Sequence, residues 1–142
     1  MTGGFSARNF ALAGLAVLAG LGVSYGLKTE EPADVSREAM ARVKVPDLSA
    51  SALEGKEEFE KNCASCHGAN AAGRAGVAPP LIHKMYEPNH HGDLSFFAAA
   101  KNGMRADHWP FGDMPPVPEV RRDDVGLIVA YVRELQRANG IN

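Results

Sequence analysis

The 142-residue sequence predicts an all-α domain of about three to four helices, preceded by an apolar N-terminal segment. Three observations carry this. Capped segments with helical apolar spacing recur after residue 50, the stretches between them are rich in turn residues, and no convincing apolar–polar alternation marks a strand. The chain divides into an N-terminal membrane anchor or uncleaved signal at 1–27, a polar linker at 28–50 and a folded domain at 51–142.

Phe10 to Leu27 contains no charged residue; Arg8 precedes it and Lys28 closes it. At helical rise such a run reaches roughly 27 Å, close to a bilayer core. A cleaved signal peptide is the competing reading, but a clean small-residue cleavage site is missing after the run. Arg8 favours a cytoplasmic N-terminus and hence an exported domain. Lys28 to Ser49 alternates charges and carries Pro32 and Pro46, which reads as a linker, with about two helical turns at Ser36 to Val43.

In the domain, Ser51 and Glu54 fit a capping box that opens a helix running to about Asn62. Asp93 is an N-cap candidate for a helix Leu94 to Asn102, stopped by Gly103. Asp123 is a cap candidate for a final helix, Asp124 to Asn139, where Leu127, Ile128, Tyr131, Val132 and Leu135 form one apolar stripe. From Ser51 onward there are 10 basic and 12 acidic residues, so there is no basic stripe for nucleic acid and no strong electrostatic steering.

The chemistry concentrates in Cys63-Ala64-Ser65-Cys66-His67, the attachment pattern of a c-type haem. Two cysteines at this spacing can add to the two haem vinyl groups, and the following imidazole reaches the iron from the same side. These are the only two cysteines of the chain, which leaves no second pair for a zinc ribbon. A thioredoxin-like pair would need a βαβ setting that this sequence lacks. For the sixth iron ligand, Met114 stands before Pro115 and Pro116, in a loop whose fixed φ angles limit the entropy lost on ligation. Met85, Met104 and His108 are the alternatives, with Met104 expected to pack in the core.

These residues resemble the class I c-type cytochromes, the small single-haem members with His and Met ligands, over about Ser51 to Ile141. The resemblance implies a cytochrome c fold wrapped around one covalent haem c, bonded at Cys63 and Cys66 and ligated by His67 and Met114. Gly55 and Phe59 look like the family's first-helix Gly and aromatic, crossing the final helix at Tyr131. Ala78-Pro79-Pro80-Leu81 resembles the segment whose carbonyl accepts the axial His N–H; both Pro79 and Pro80 are candidates, with Pro80 taken as a haem contact. Trp109 is similar to a Trp that donates to a haem propionate. The implied function is single-electron transfer, without catalysis, between membrane complexes such as a quinol–cytochrome c oxidoreductase and a terminal oxidase, on the periplasmic side of a bacterial cytoplasmic membrane. Two alternatives remain at this level, beside an enzymatic role in which an easily lost Met114 opens the iron to small gases or peroxide. One is a haem subunit of a larger oxidoreductase. The other is a second copper or zinc site in the stretch from His83 to His108, using His90 and His91 with His83 or His108.

Overall fold

The computed structural model describes residues 39–142. The anchor expected at 1–27, and the linker as far as residue 38, lie outside the described residues. Four α-helices follow: α1 Ala50–Asn62, α2 Ala64–His67, α3 Asp93–Asn102 and α4 Arg122–Ala138, with 3-10 turns at Ala69–Ala71 and Lys84–Tyr86. Among the described residues β-structure is limited to isolated bridges, and no helix is long and apolar enough to cross a membrane.

Helix α1 starts two residues before the expected point. Its cap is Ser49, whose Oγ accepts from Ala52 N at 3.3 Å, while Ser51 lies inside the helix. The reason is tertiary. Glu134 of α4 accepts both the Ser49 hydroxyl, at 2.6 Å, and the Ser49 N–H, at 3.1 Å. A local capping box at Ser51 cannot compete with a site that places Ser49 against a carboxylate. Asp93 likewise sits inside α3, behind the cap residue Gly92, with its carboxylate bound to Arg133 Nε at 2.9 Å. Helix α4 begins at Arg122, not Asp124, and its cap position, Arg121, makes no capping bond with its side chain. The Arg121 guanidinium instead grips Asp124 at 2.8 and 2.7 Å. The far end is a Schellman motif: Gly140 N bonds Arg137 O, Ile141 N bonds Gln136 O, and Ile141 packs on the core.

The core forms where α1 crosses α4. Ala52, Gly55 and Phe59 supply the buried face of α1; Ile128, Tyr131, Val132 and Leu135 supply that of α4. The Phe59 and Tyr131 rings meet at 5.6 Å. Gly55 permits the crossing, because a Cβ there would stand 2.0 Å from the Leu127 carbonyl oxygen. Each fully buried large apolar side chain contributes about 1.5–3 kcal/mol.

From Ala39 onward the expected linker is part of the folded body. Met40 N and Ala41 N both donate to Ala72 O, at 3.1 and 2.9 Å, and Lys44 exchanges two bonds with the Asn139 amide. Val43 and Leu48 pack on the core. The segment from Met40 to Val43 forms no helix; its Met40 and Ala41 N–H groups are spent on Ala72 O.

Candidate functional site

The site begins where α1 ends. Cys63 closes α1 through its N–H to Phe59 O and opens the one-turn α2, so Cys63, Cys66 and His67 sit on a tight, hydrogen-bonded corner. Tyr131 of α4 holds the next loop, donating its hydroxyl to Asn70 Oδ1 at 3.1 Å; Asn70 and Ala71 there adopt positive φ. Burial pushes the Tyr131 hydroxyl pKa up to about 12, so it stays a donor. The α1–α4 crossing thus fixes the motif as well as the core.

This corner forms one rim of a largely apolar cavity of about 310 Å³. Cys63, Cys66, His67, Pro79, Phe96, Trp109 and Met114 all line it, together with Ile128 from α4. His67 is buried, and its Nδ1 lies 2.9 Å from Pro79 O. Desolvation lowers its pKa, outweighing the opposing effect of the Pro79 carbonyl, so the ring is neutral. With Nδ1 as the donor, Nε2 keeps its lone pair. The carbonyl is therefore that of Pro79, not Pro80. Pro80 is buried against Gly73 and is not part of the cavity wall. The sequence shows two adjacent prolines and cannot tell which carbonyl turns inward.

Burial, and secondarily the neighbouring Cys66, pushes the Cys63 thiol up to about 11. This rim disfavours a thiolate and suits an uncharged thioether.

Met114 is half-buried on the cavity wall. Its loop is pinned at Val117 N to Ala100 O, 2.8 Å, and at a backbone bridge to Met104. Met104 does not pack in the core: it is 46% exposed and lines the cavity. Trp109 stacks on Phe111, with ring centroids 5.8 Å apart, and meets His83 edge-on. Its indole N–H is buried without a hydrogen-bond partner; it lies near the Tyr86 hydroxyl but not in bonding geometry. A buried orphan donor on a cavity wall fits a ligand carrying an acceptor.

The histidine stretch does not assemble a second metal site, which corrects that alternative. Among the described residues no group of three or more His, Cys, Asp or Glu side chains could hold a metal ion. Three of the imidazoles are held through Nδ1. His83 Nδ1 accepts from Met85 N, His91 Nδ1 pairs with Met85 O, and His108 Nδ1 pairs with Asp107 Oδ1. His90 and His91 have ring centroids 4.9 Å apart and His108 lies edge-on to His91 at 6.3 Å, yet the three are not arranged to hold one metal ion.

The sequence alone gave no sign of Arg133. Its guanidinium is buried inside α4 and bonds Asp93, Tyr86 O, Gln136 Oε1 and His91 O at 2.6–2.9 Å. It ties the 81–93 loop, one wall of the cavity, to the final helix.

The sequence profile of the cytochrome c family matches residues 52–136. The chain belongs to the cytochrome c family. Comparison with curated proteins and with solved structures returns no match. Membership brings one covalently bound c-type haem and assigns the chain to electron transfer. The residues fit that group. An apolar cavity carries both cysteines on one rim, a neutral imidazole oriented by a carbonyl, and an unsatisfied indole N–H.

Proposed function

We propose that this cytochrome c is a single-electron carrier. In it Cys63 and Cys66 hold the haem as thioethers and His67 and Met114 cap the iron. Residues 1–27 tether the domain to the bacterial cytoplasmic membrane, with the haem domain in the periplasm. The observation that carries this reading is that the oriented His67 ring and the Met114 thioether line the same apolar cavity as both cysteines.

The bound haem supplies a one-electron couple. The chain does the rest. Pro79 O fixes the tautomer and rotation of His67 and increases its basicity. Met114 brings a soft sulfur that favours reduced iron and raises the potential above that of two nitrogen ligands. Pro115 and Pro116 stiffen its loop in both redox states. The apolar walls limit water, and the Trp109 N–H offers a donor to a propionate. With His67 and Met114 both bound, the iron would have no open position, which favours carriage over catalysis.

The partners in this reading are membrane complexes such as a quinol–cytochrome c oxidoreductase and a terminal oxidase. Nearly balanced charge argues for confinement by a tether, which raises effective concentration without attraction at a distance. The chain joins the domain at Ala72 and Arg74, in the loop that follows the haem motif. An upstream anchor would therefore hold the exposed Cys66 rim close to the membrane complexes.

The test is purification of the full chain, in detergent, from a host that matures c-type cytochromes. One haem mass should stay attached through acid–acetone extraction, the oxidised protein should show the weak sulfur-to-iron band, and the reduced protein should resist carbon monoxide. Haem lost on extraction, or a wild-type spectrum without the sulfur band, would refute the ligation. Release of the protein from membranes by carbonate washing would refute the anchor.

A further inference from the structure

Two thioethers, not one, are set side by side on the cavity wall. Met104 N donates to Met114 O at 2.9 Å and Met114 N donates to Met104 O at 2.8 Å. Residues that exchange both bonds in an antiparallel pair have Cα atoms about 5.5 Å apart and project their side chains to the same face. Here that face is the cavity, which both methionines line. The register is built into the backbone. Gly103 stops α3 at φ +72°, and a Cβ on it would stand 2.4 Å from Met114 O and 3.1 Å from Pro116 N. Only glycine brings residue 104 this close to residue 114.

Met104 also keeps its freedom. It is 46% exposed, and its side chain has three rotatable bonds. Met85, the third methionine on the wall, has no such pairing: it sits in the Lys84–Tyr86 turn, and its carbonyl is taken by His91. We propose that Met104 is a reserve ligand, whose sulfur takes the iron position when the Met114 sulfur leaves it. This rests on the reading of Met114 as the resident ligand. In the exchange one dative sulfur–iron bond breaks and another forms, with no electron or proton transferred. The consequence is functional: the sixth position does not stay open to peroxide or small gases, so the domain remains a carrier when its Met loop opens.

The experiment compares full-length holoproteins: wild type, M104L, M114L, M114A, and the doubles M104L/M114L and M104L/M114A. Wild type and M104L should both show the sulfur-to-iron band. M114L and M114A should keep such a band, and the doubles should lose it. External imidazole should bind the doubles about tenfold more tightly than the single Met114 variants, as expected if Met104 occupies about nine tenths of the vacated sites. Met114 variants that are high-spin or ligated by two nitrogens would overturn the proposal, as would a sulfur band surviving in the doubles or loss of haem from both M114L and M114A. The Met114 reading fails separately, and visibly, if wild type lacks the band or if M104L alone abolishes it.

Discussion

Two helical glycines lie on opposite sides of a steric threshold, and Gly→Ala at each should move stability in opposite directions. At Gly55 an added Cβ would stand 2.0 Å from Leu127 O, 2.5 Å from Leu127 C and 3.1 Å from Tyr131 Cβ. The first two are backbone atoms in the middle of α4 and cannot rotate away. Ordinary contact at 3.4 Å requires α1 and α4 to part by about 1.4 Å (3.4 − 2.0) along that direction. A gap of 0.5–1 Å already forfeits roughly a quarter to a half of a dispersion well, and the Phe59–Tyr131 contact lies at the same crossing. Overpacking of this kind costs about 3 kcal/mol, against a helix-propensity gain of about 1 kcal/mol for Ala over Gly. The net loss of about 2 kcal/mol should lower Tm by roughly 8–16 °C in a domain of this size. At Gly126 the nearest atom to the new methyl is Phe97 Cζ, at 3.9 Å, an ordinary contact. The propensity gain of about 1 kcal/mol there is unopposed, so G126A should raise Tm by about 4–8 °C. Thermal unfolding of the two holoproteins, followed by far-ultraviolet circular dichroism, decides the matter. A G55A Tm equal to or above wild type would refute the argument from close approach, and a G126A loss as large as that of G55A would show that helix glycines matter here for another reason.

Three further outcomes follow from the same contacts. S49A removes the α1 cap and should cost about 1 kcal/mol in denaturant unfolding. Ser49 also holds the Glu134 pKa below the usual carboxylate value, chiefly through its side-chain hydrogen bond. The stability that carboxylate contributes is present above about pH 4.3 and is lost as pH falls through its lowered folded value, so S49A should show a shallower acid loss than wild type. R133M strands the His91 carbonyl and one side of Gln136 and should cost about 3 kcal/mol; R133K should not rescue it, because an ammonium cannot span the same four acceptors, and a loss under about 1 kcal/mol in either variant would contradict the hub role. Electron-transfer rates to a membrane oxidase should change little with ionic strength, and a steep fall with salt would contradict delivery by tether rather than by charge.

What was legible in the sequence is what depends on near neighbours along the chain. The Cys63–His67 spacing, the glycine stop at Gly103 and the apolar stripe of α4 are local patterns, and the structure has them where expected. The Gly55–Tyr131 crossing came from resemblance, and the distances at Gly55 bear it out. Two of the three displaced helix starts share one reason. Ser49 is chosen over Ser51 by Glu134, and Asp93 is drawn from capping by Arg133, in each case through a partner at least 40 residues away. Local capping rules weigh only a site's own neighbours and miss such partners. The same limit hid the choice of Pro79 over Pro80 and the docking of residues 39–49, whose polar composition reads as linker until Ala72 and Asn139 accept its backbone.

Arg133 and Tyr131 together explain how a thin-cored domain keeps a site rigid. From opposite faces of one turn of α4, Tyr131 reaches the loop after the haem motif through Asn70, while Arg133 reaches the loop before α3 through Tyr86 and His91. Both loops lead into the cavity wall, and α4 itself is fixed to α1, whose last turn ends at Cys63. The motif, the Pro79 carbonyl and the 81–93 loop are therefore all referred to one rigid element. The Met104–Met114 loop is not. Its hydrogen bonds run to itself and to α3, through Gly103 and Val117 N to Ala100 O. Under the proposed ligation by His67 and Met114, the ligand that would detach first is the one on this loop, and that is where the structure places a second thioether.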